Sequence, residues 1–367
     1  MLREVNQNVL TILLFEALLG TGTMEWIPTW TAEFKSAVWI LIALYTLLLL
    51  GIGLLIVHLS QYMPSDFTGC TMFDYFLGRK LGGVLNLLLL GFLLICAGKA
   101  LLLGTSLIHY TTLPYTPTIA LVLFAMLTPA QIFYAGFDSL LRFQTVLFVP
   151  ALILAVVLLL LCFRTADFSN LLPVTPRPSM LTADSLTKVM ELLQGLILFV
   201  IYIPLFKRFG MSVTLTKRSF TYAGFGIIML NVLNLLVVLT VLGPFEASST
   251  QWPVIEVVRI QKMTGPLLER LDLIFLLPVL IAVISAVNLY SYGAHHVMSY
   301  YTHPSQWVRL IWVFGLILLI VAIPNNQQVA YSVYGTIIKS FELMFFCLIP
   351  VMWLIRRMAA KERRIFK

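Results

Sequence analysis

The sequence predicts an all-α polytopic membrane protein with ten transmembrane helices. Three observations predict it: an apolar composition, ten apolar stretches of near-spanning length, and a one-sided distribution of basic residues. Of the 367 residues, 60% are hydrophobic and 11% charged, with a mean hydropathy of +0.96. A soluble domain carries about 25% charged residues. The apolar stretches fall at roughly 9–30, 37–60, 83–109, 117–135, 143–163, 188–206, 220–243, 272–292, 308–323 and 336–355. A helix needs about 20 such residues to cross a hydrocarbon core ~30 Å thick. No sizeable soluble domain fits between them. No cleavable signal peptide is expected, because the first apolar stretch is too long and lacks a small-residue cleavage site.

The first stretch is interrupted by Gly20-Thr21-Gly22-Thr23. Glycines at alternate positions weaken a helix. Gly20 lies about 16 Å into a helix that starts near Val9, at ~1.5 Å per residue, and so near the bilayer midplane. Unwound backbone at that depth requires burial in protein or a wet cavity. Close packing of two helices on small residues is the other reading of the same pattern. Under the first reading, Gly20 and Gly22 lie in non-helical backbone facing a polar cavity between the first, third, sixth and eighth spans. Glu16 precedes the break by one turn, where it either faces that cavity or fixes helix packing as a neutral acid.

The third span carries Lys99, 15 residues after Val84 and 10 before His109. An ionisable residue at that depth marks a functional-site candidate. Its amine is expected to point into the bundle, toward Glu16 or the first-span break. Glu16 and Glu191 are the carboxylates considered for it, and carbonyls of a broken helix are the structural alternative. Thr128-Pro129-Ala130-Gln131 interrupts the fourth span, and the fifth contains Pro150. In the sixth, Gln194-Gly195 is a second small-polar interruption, with Glu191 a turn before it. Ser285 and Asn288 share one face of the eighth span, either in a site or in ordinary interhelical hydrogen bonds. Lys339 and Glu342 in the tenth are placed to satisfy each other. His295, His296 and His303 read as a wet loop at the end of the eighth.

With the N-terminus inside and the spans alternating, fifteen Lys and Arg residues fall on inside segments and seven on outside ones. That is the positive-inside pattern. It accounts for the net charge of +8 without nucleic acid. Both termini are therefore expected inside, with residues 164–187 and 244–271 as long outside connections. Within the second, apolar residues from Val254 to Leu268 recur at helical spacing, so a short amphipathic helix is expected to pack there and not hang free. Cys70, Cys96, Cys162 and Cys347 show no disulfide or metal spacing. No cofactor, nucleophile–base pair or phosphate loop emerges, so no enzyme is expected.

Leu113-Pro114-Tyr115-Thr116-Pro117 links the third and fourth spans. Gly136-Phe137-Asp138-Ser139-Leu140-Leu141-Arg142 leads to Pro150. Asn170-Leu171-Leu172-Pro173-Val174 follows, then Trp252-Pro253, Glu256, Arg259 and Glu269-Arg270-Leu271-Asp272. In this order they resemble the B subunits of bacterial spore germination receptors, within the amino acid–polyamine–organocation transporter superfamily. The resemblance implies a LeuT-like five-plus-five inverted repeat with broken first and sixth helices. The first repeat is then about 9–163, the second about 188–355, and 356–367 a basic cytoplasmic tail. It also implies the spore inner membrane, an A subunit and a lipoprotein C subunit as partners, and sensing of a small nutrient, often an amino acid. In relatives, the first-span glycine pair matches Gly20 and Gly22, and a small polar position of the eighth span matches Ser285. Where many relatives have Gly-Glu in the sixth span, this chain has Gln194-Gly195. Where many have an arginine in the third, it has Leu102, with Lys99 one turn earlier.

The expected ligand site is therefore Gly20, Thr21, Gly22, Thr23, Lys99, Gln194, Gly195, Ser285 and Asn288. Glu16, Lys99 and Glu191 are the coupling candidates if the chain is instead a proton-coupled amino acid transporter. A non-sensing scaffold subunit is the third reading.

Overall fold

Long runs of Leu, Ile, Val and Ala in a solvent without water leave the backbone no partner but itself, and helices result. The computed structural model describes residues 7–19, 22–64, 70–172, 191–208, 211–261, 270–301, 305–324 and 327–365, without the side chains of 22–25, 191–193, 208, 327–328 and 358–365. The described residues form helices and short connections, with no strand among them. In order they are α1 (Gln7–Leu19), α2 (Gly22–Phe34), α3 (Val38–Ser60), α4 (Met72–Thr111), α5 (Thr118–Ala135), α6 (Phe137–Phe143) and α7 (Val149–Cys162). One π turn, Gln144–Phe148, joins α6 to α7. A 3-10 stretch, Glu191–Leu198, runs into α8 (Phe199–Arg208). Then come α9 (Val213–Ser249), α10 (Pro253–Ile260), α11 (Leu271–Tyr301), α12 (Gln306–Ala322) and α13 (Gln327–Ile365).

Among the described residues, seven helical segments are long and apolar enough to cross a membrane, and three shorter apolar helices, Gln7–Leu19, Gln194–Lys207 and Gln306–Ala322, accompany them. Leu47, Leu87 and Phe124 are 62%, 68% and 76% exposed on helix flanks. Apolar surface on this scale fits acyl chains and not water. The protein is thus a multi-pass integral membrane protein. Its interior is built where α4 and α11 pack along each other and where α9 packs against α1, α2 and α3. The largest interior side chains include Trp26, Trp30, Tyr202, Phe206 and Tyr290.

Several boundaries differ from expectation for identifiable reasons. α1 ends at Leu19 and α2 opens at Gly22, so Gly22 is helical and not the irregular backbone expected. Gly20 and Thr21 lie outside the described residues, as does the side chain of Thr23. The fourth span runs unbroken through Pro129, as membrane helices tolerate. The third starts eleven residues earlier than its apolar stretch, at Met72. A capping box drives that start: Thr71 accepts from the Phe73 amide, and Asp74 accepts from the Thr71 amide at 3.3 Å. Asn86 then donates to Asp74 at 2.9 Å and to the Tyr301 hydroxyl at 2.7 Å, tying this end of α4 to α11. The eighth span continues to Tyr301, so His295 is not in a wet loop. Its ring stacks on Phe133, with centroids 4.9 Å apart.

Met72–Leu77 turns into the rest of α4 at Gly78, with φ 79° and ψ 168°. That conformation is nearly restricted to glycine. A Cβ at Gly78 would meet nothing within 4 Å, so only the backbone opposes a side chain there. Gly78→Ala is expected to cost roughly 1–3 kcal/mol, read as a lowered melting temperature in detergent. Gly91→Ala, also in open space but within regular helix, should be neutral or stabilising. Equal effects of the two would remove the dihedral explanation.

At the opposite end, α10 lies across the bundle with Pro253, Val254, Ile255, Val257 and Val258 buried. This is the packed helix expected in the second long connection. Glu256 holds it to α4 by accepting from the Tyr110 hydroxyl at 3.4 Å, and the Arg259 guanidinium sits over the Tyr110 ring. Arg270 pairs with Asp272 at 3.1 Å where α11 begins. Of the first long connection, 173–187 lies outside the described residues. Its start packs on α9 through Asp167, whose amide donates to the Thr240 carbonyl at 2.8 Å. Hydrogen bonds from Ser169 hold the Asp167 carboxyl below the usual range.

Candidate functional site

Gly195 sits in the 3-10 stretch against the last turn of α1. A Cβ there would lie 1.5 Å from the Ala17 carbonyl oxygen and 2.5 Å from its carbon. The two chains therefore cross in direct backbone contact, which only glycine permits. The crossing comes one residue after Glu16 and two before α1 stops. It brings the interruption of the sixth span onto that of the first.

Glu16 is 2% exposed, and Ser285 and Asn288 of α11 are wholly buried. The Ser285 hydroxyl lies beside the Glu16 carboxyl, short of strict hydrogen-bond geometry, and Tyr202 of α8 is close enough to sense its charge. Tyr202 itself donates to the Leu289 carbonyl at 2.7 Å, which pins α8 to α11. Among the described residues, neither Glu16 oxygen, nor Ser285 Oγ, nor either amide atom of Asn288 makes a hydrogen bond. Native proteins leave few such groups, and bound water, ions or function account for them.

Lys99 is 6% exposed and so points into the bundle. Its electrostatic neighbourhood includes Cys96 one turn earlier on α4, and Cys96 in turn senses Glu342 of α13. Tyr290 of α11 faces the same group: it senses Cys96 and Glu342, and the Gln194 side chain lies against its hydroxyl. The interior polar groups thus form two adjoining sets along α11, linked where Tyr290 senses Tyr202. One is Glu16, Ser285 and Tyr202. The other is Gln194, Tyr290, Cys96, Lys99 and Glu342. Glu342, which the sequence assigns to Lys339, is wholly buried in the second set. The side chain of Glu191 lies outside the described residues.

A cavity of about 60 Å³, room for about two waters, begins at Leu19, the last residue of α1. Its walls are Leu103 of α4, Phe148 and Leu152 of the fifth span, Leu230 and Asn234 of α9, and Val279 and Val283 of α11. This cavity touches the first, third, fifth, seventh and eighth spans. Gln194, Gly195, Lys99, Ser285 and Asn288 are not among its lining residues. Asn234, whose Oδ1 makes no hydrogen bond among the described residues, is its polar wall. Asn231, one turn away, is buried with both amide atoms unbonded in the same sense. Sequence reasoning missed this pair, although two asparagines three apart in an apolar span are the same signal that singled out Ser285 and Asn288. Gln144 is also missed; it is buried at the π turn with neither amide atom bonded among the described residues.

A family model described as spore germination protein matches residues 4–330. Spore germination protein A2 of Bacillus subtilis strain 168 is similar to this chain, with 24% identity over 330 residues, 86% of this chain and 87% of that protein.

Proposed function

Since the chain belongs to the spore germination protein family, we propose that it is the nutrient-sensing membrane subunit of a spore germination receptor. Its ligand is a small nutrient, an amino acid in the simplest case. The carboxylate rests on amides freed around Gly20–Thr23, at the N-terminal end of α2, where helix geometry favours an anion. Gln194, Gly195, Lys99, Ser285 and Asn288 form the surrounding shell. The observation that carries this reading is the backbone crossing of Gly195 on Ala17, which sets two interrupted helices against each other beside a cavity.

The proposed arrangement is two inverted repeats, about 9–163 and 188–355. Each half opens with an interrupted span. Each also has a glycine of nearly identical conformation between its second and third spans: Gly78 at φ 79° and Gly243 at φ 77°. Ligand favours one packing of the repeats over another by its differential affinity for the two. An A subunit and a lipoprotein C subunit read that choice at the spore inner membrane, with both termini on the core side. The buried Glu16 carboxyl, unbonded among the described residues, favours a second reading, proton-coupled amino acid transport, which pH-driven uptake into proteoliposomes would reveal.

Gly22→Leu tests the sensing site. It should abolish the germination response to nutrient while membrane protein level stays normal, because a side chain at the start of α2 keeps a ligand from the amides. An unchanged response would sink the assignment.

A further inference from the structure

We propose that the flank between α1, α7 and α9 binds one anionic phospholipid, with an acyl chain in a groove and the phosphate between Arg142 and Arg218. The groove has a volume of about 560 Å³, within the ~300–1,000 Å³ of ligand-holding pockets. Its lining is graded along the helix axis. Gln7, Asn8 and Thr11 border it at the start of α1, and Ile12, Phe15 and Leu152 form its deeper part. A polar mouth and an apolar depth match a lipid entering from one leaflet.

The flank around the groove faces acyl chains. Tyr222, Phe225 and Met229 form an exposed stripe on α9, and Val146 and Ile153 are exposed on the opposite wall. Two arginines precede the groove-lining residues of their walls in sequence and do not themselves line the groove. Arg218 precedes Tyr222 by one turn, about 6 Å toward the Gln7 end, and is exposed. Arg142 precedes Val149 on the other wall and is also exposed. Asp138, one turn before Arg142, is the nearest acid on that wall. Among the described residues neither arginine is engaged in an ion pair. Basic residues between membrane helices at the cytoplasmic leaflet are suited to anionic headgroups, and a guanidinium matches phosphate geometry.

The groove ends on Phe148. One side of that ring lines the groove and the other the interior cavity, and it packs on Phe15 with centroids 6.0 Å apart. A chain in the groove therefore braces the π turn Gln144–Phe148. This inference is independent of the nutrient reading, since no proposed ligand residue lines the groove.

The test is native mass spectrometry of the purified full-length protein, delipidated and titrated with phosphatidylglycerol against phosphatidylcholine. Wild type should retain one phosphatidylglycerol preferentially, and that lipid should raise the melting temperature. Arg142→Gln with Arg218→Gln, both at exposed sites, should lower the preference on the order of thirty-fold. Thr11→Trp, which fills the mouth, should lower retention of the first lipid of either kind. Equal retention of both lipids by wild type, or an undiminished preference in the double arginine variant, would overturn the proposal. Unchanged retention in a folded Thr11→Trp protein would overturn the placement of the chain in the groove.

Discussion

Gly195→Ala should eliminate the nutrient response and lower the amount of folded protein in the membrane. The added Cβ would fall 1.5 Å from the Ala17 carbonyl oxygen. An extra methyl in a packed core typically costs ~1–3 kcal/mol, because side chains shift around it. Here the obstacle is backbone, so α1 and the 3-10 stretch must separate, and the cost exceeds that range. Gly51→Ala is the matched control, because a Cβ at Gly51 meets nothing within 4 Å. Membrane protein level, melting temperature and germination rate on nutrient are the readouts. Wild-type behaviour of Gly195→Ala would mean that the two interrupted spans do not cross.

Lys99→Ala should impair the response far more than insertion. A lysine at a helix centre costs roughly 2.5–3.5 kcal/mol on insertion scales, so its loss eases entry into the membrane. What is lost is the positive charge in the set that includes Cys96, Tyr290 and Glu342. Lys99→Arg should rescue only in part. The guanidinium keeps the charge, but it is larger and does not readily release a proton. Immunoblots of spore membranes against germination rate separate the two effects. Full response in Lys99→Ala would remove Lys99 from the mechanism.

Much of this protein is written in local sequence. The apolar runs specify the helices because lipid offers the backbone no other partner. The interruption after Leu19 follows from two glycines in one turn, and the inward direction of Lys99 follows from the penalty of facing lipid. The helix at Pro253–Ile260 is legible from its apolar spacing. Met72–Leu77 was hidden because Asp74, Arg79 and Lys80 depress hydropathy there, although Thr71 and Asp74 carry a capping signal. Glu342 lies three residues from Lys339 in sequence, and only the fold also sets it within electrostatic reach of Cys96 on α4 and Tyr290 on α11.

Sequence alone determined the class of protein and part of the buried polar set, Glu16, Lys99, Gln194, Ser285 and Asn288 among them, since each depends on a residue and its immediate neighbours in a low-dielectric solvent. The tertiary structure decided which of them meet. Gly195 lies against Ala17, Ser285 against Glu16 and Gln194 against Tyr290 through the crossing of helices far apart in the chain. Asn234, and not the expected set, borders the cavity because the cavity is the space left where α7, α9 and α11 fail to close over the end of α1. Such a space is fixed by the sum of side-chain volumes on several helices, and no single stretch of sequence contains it.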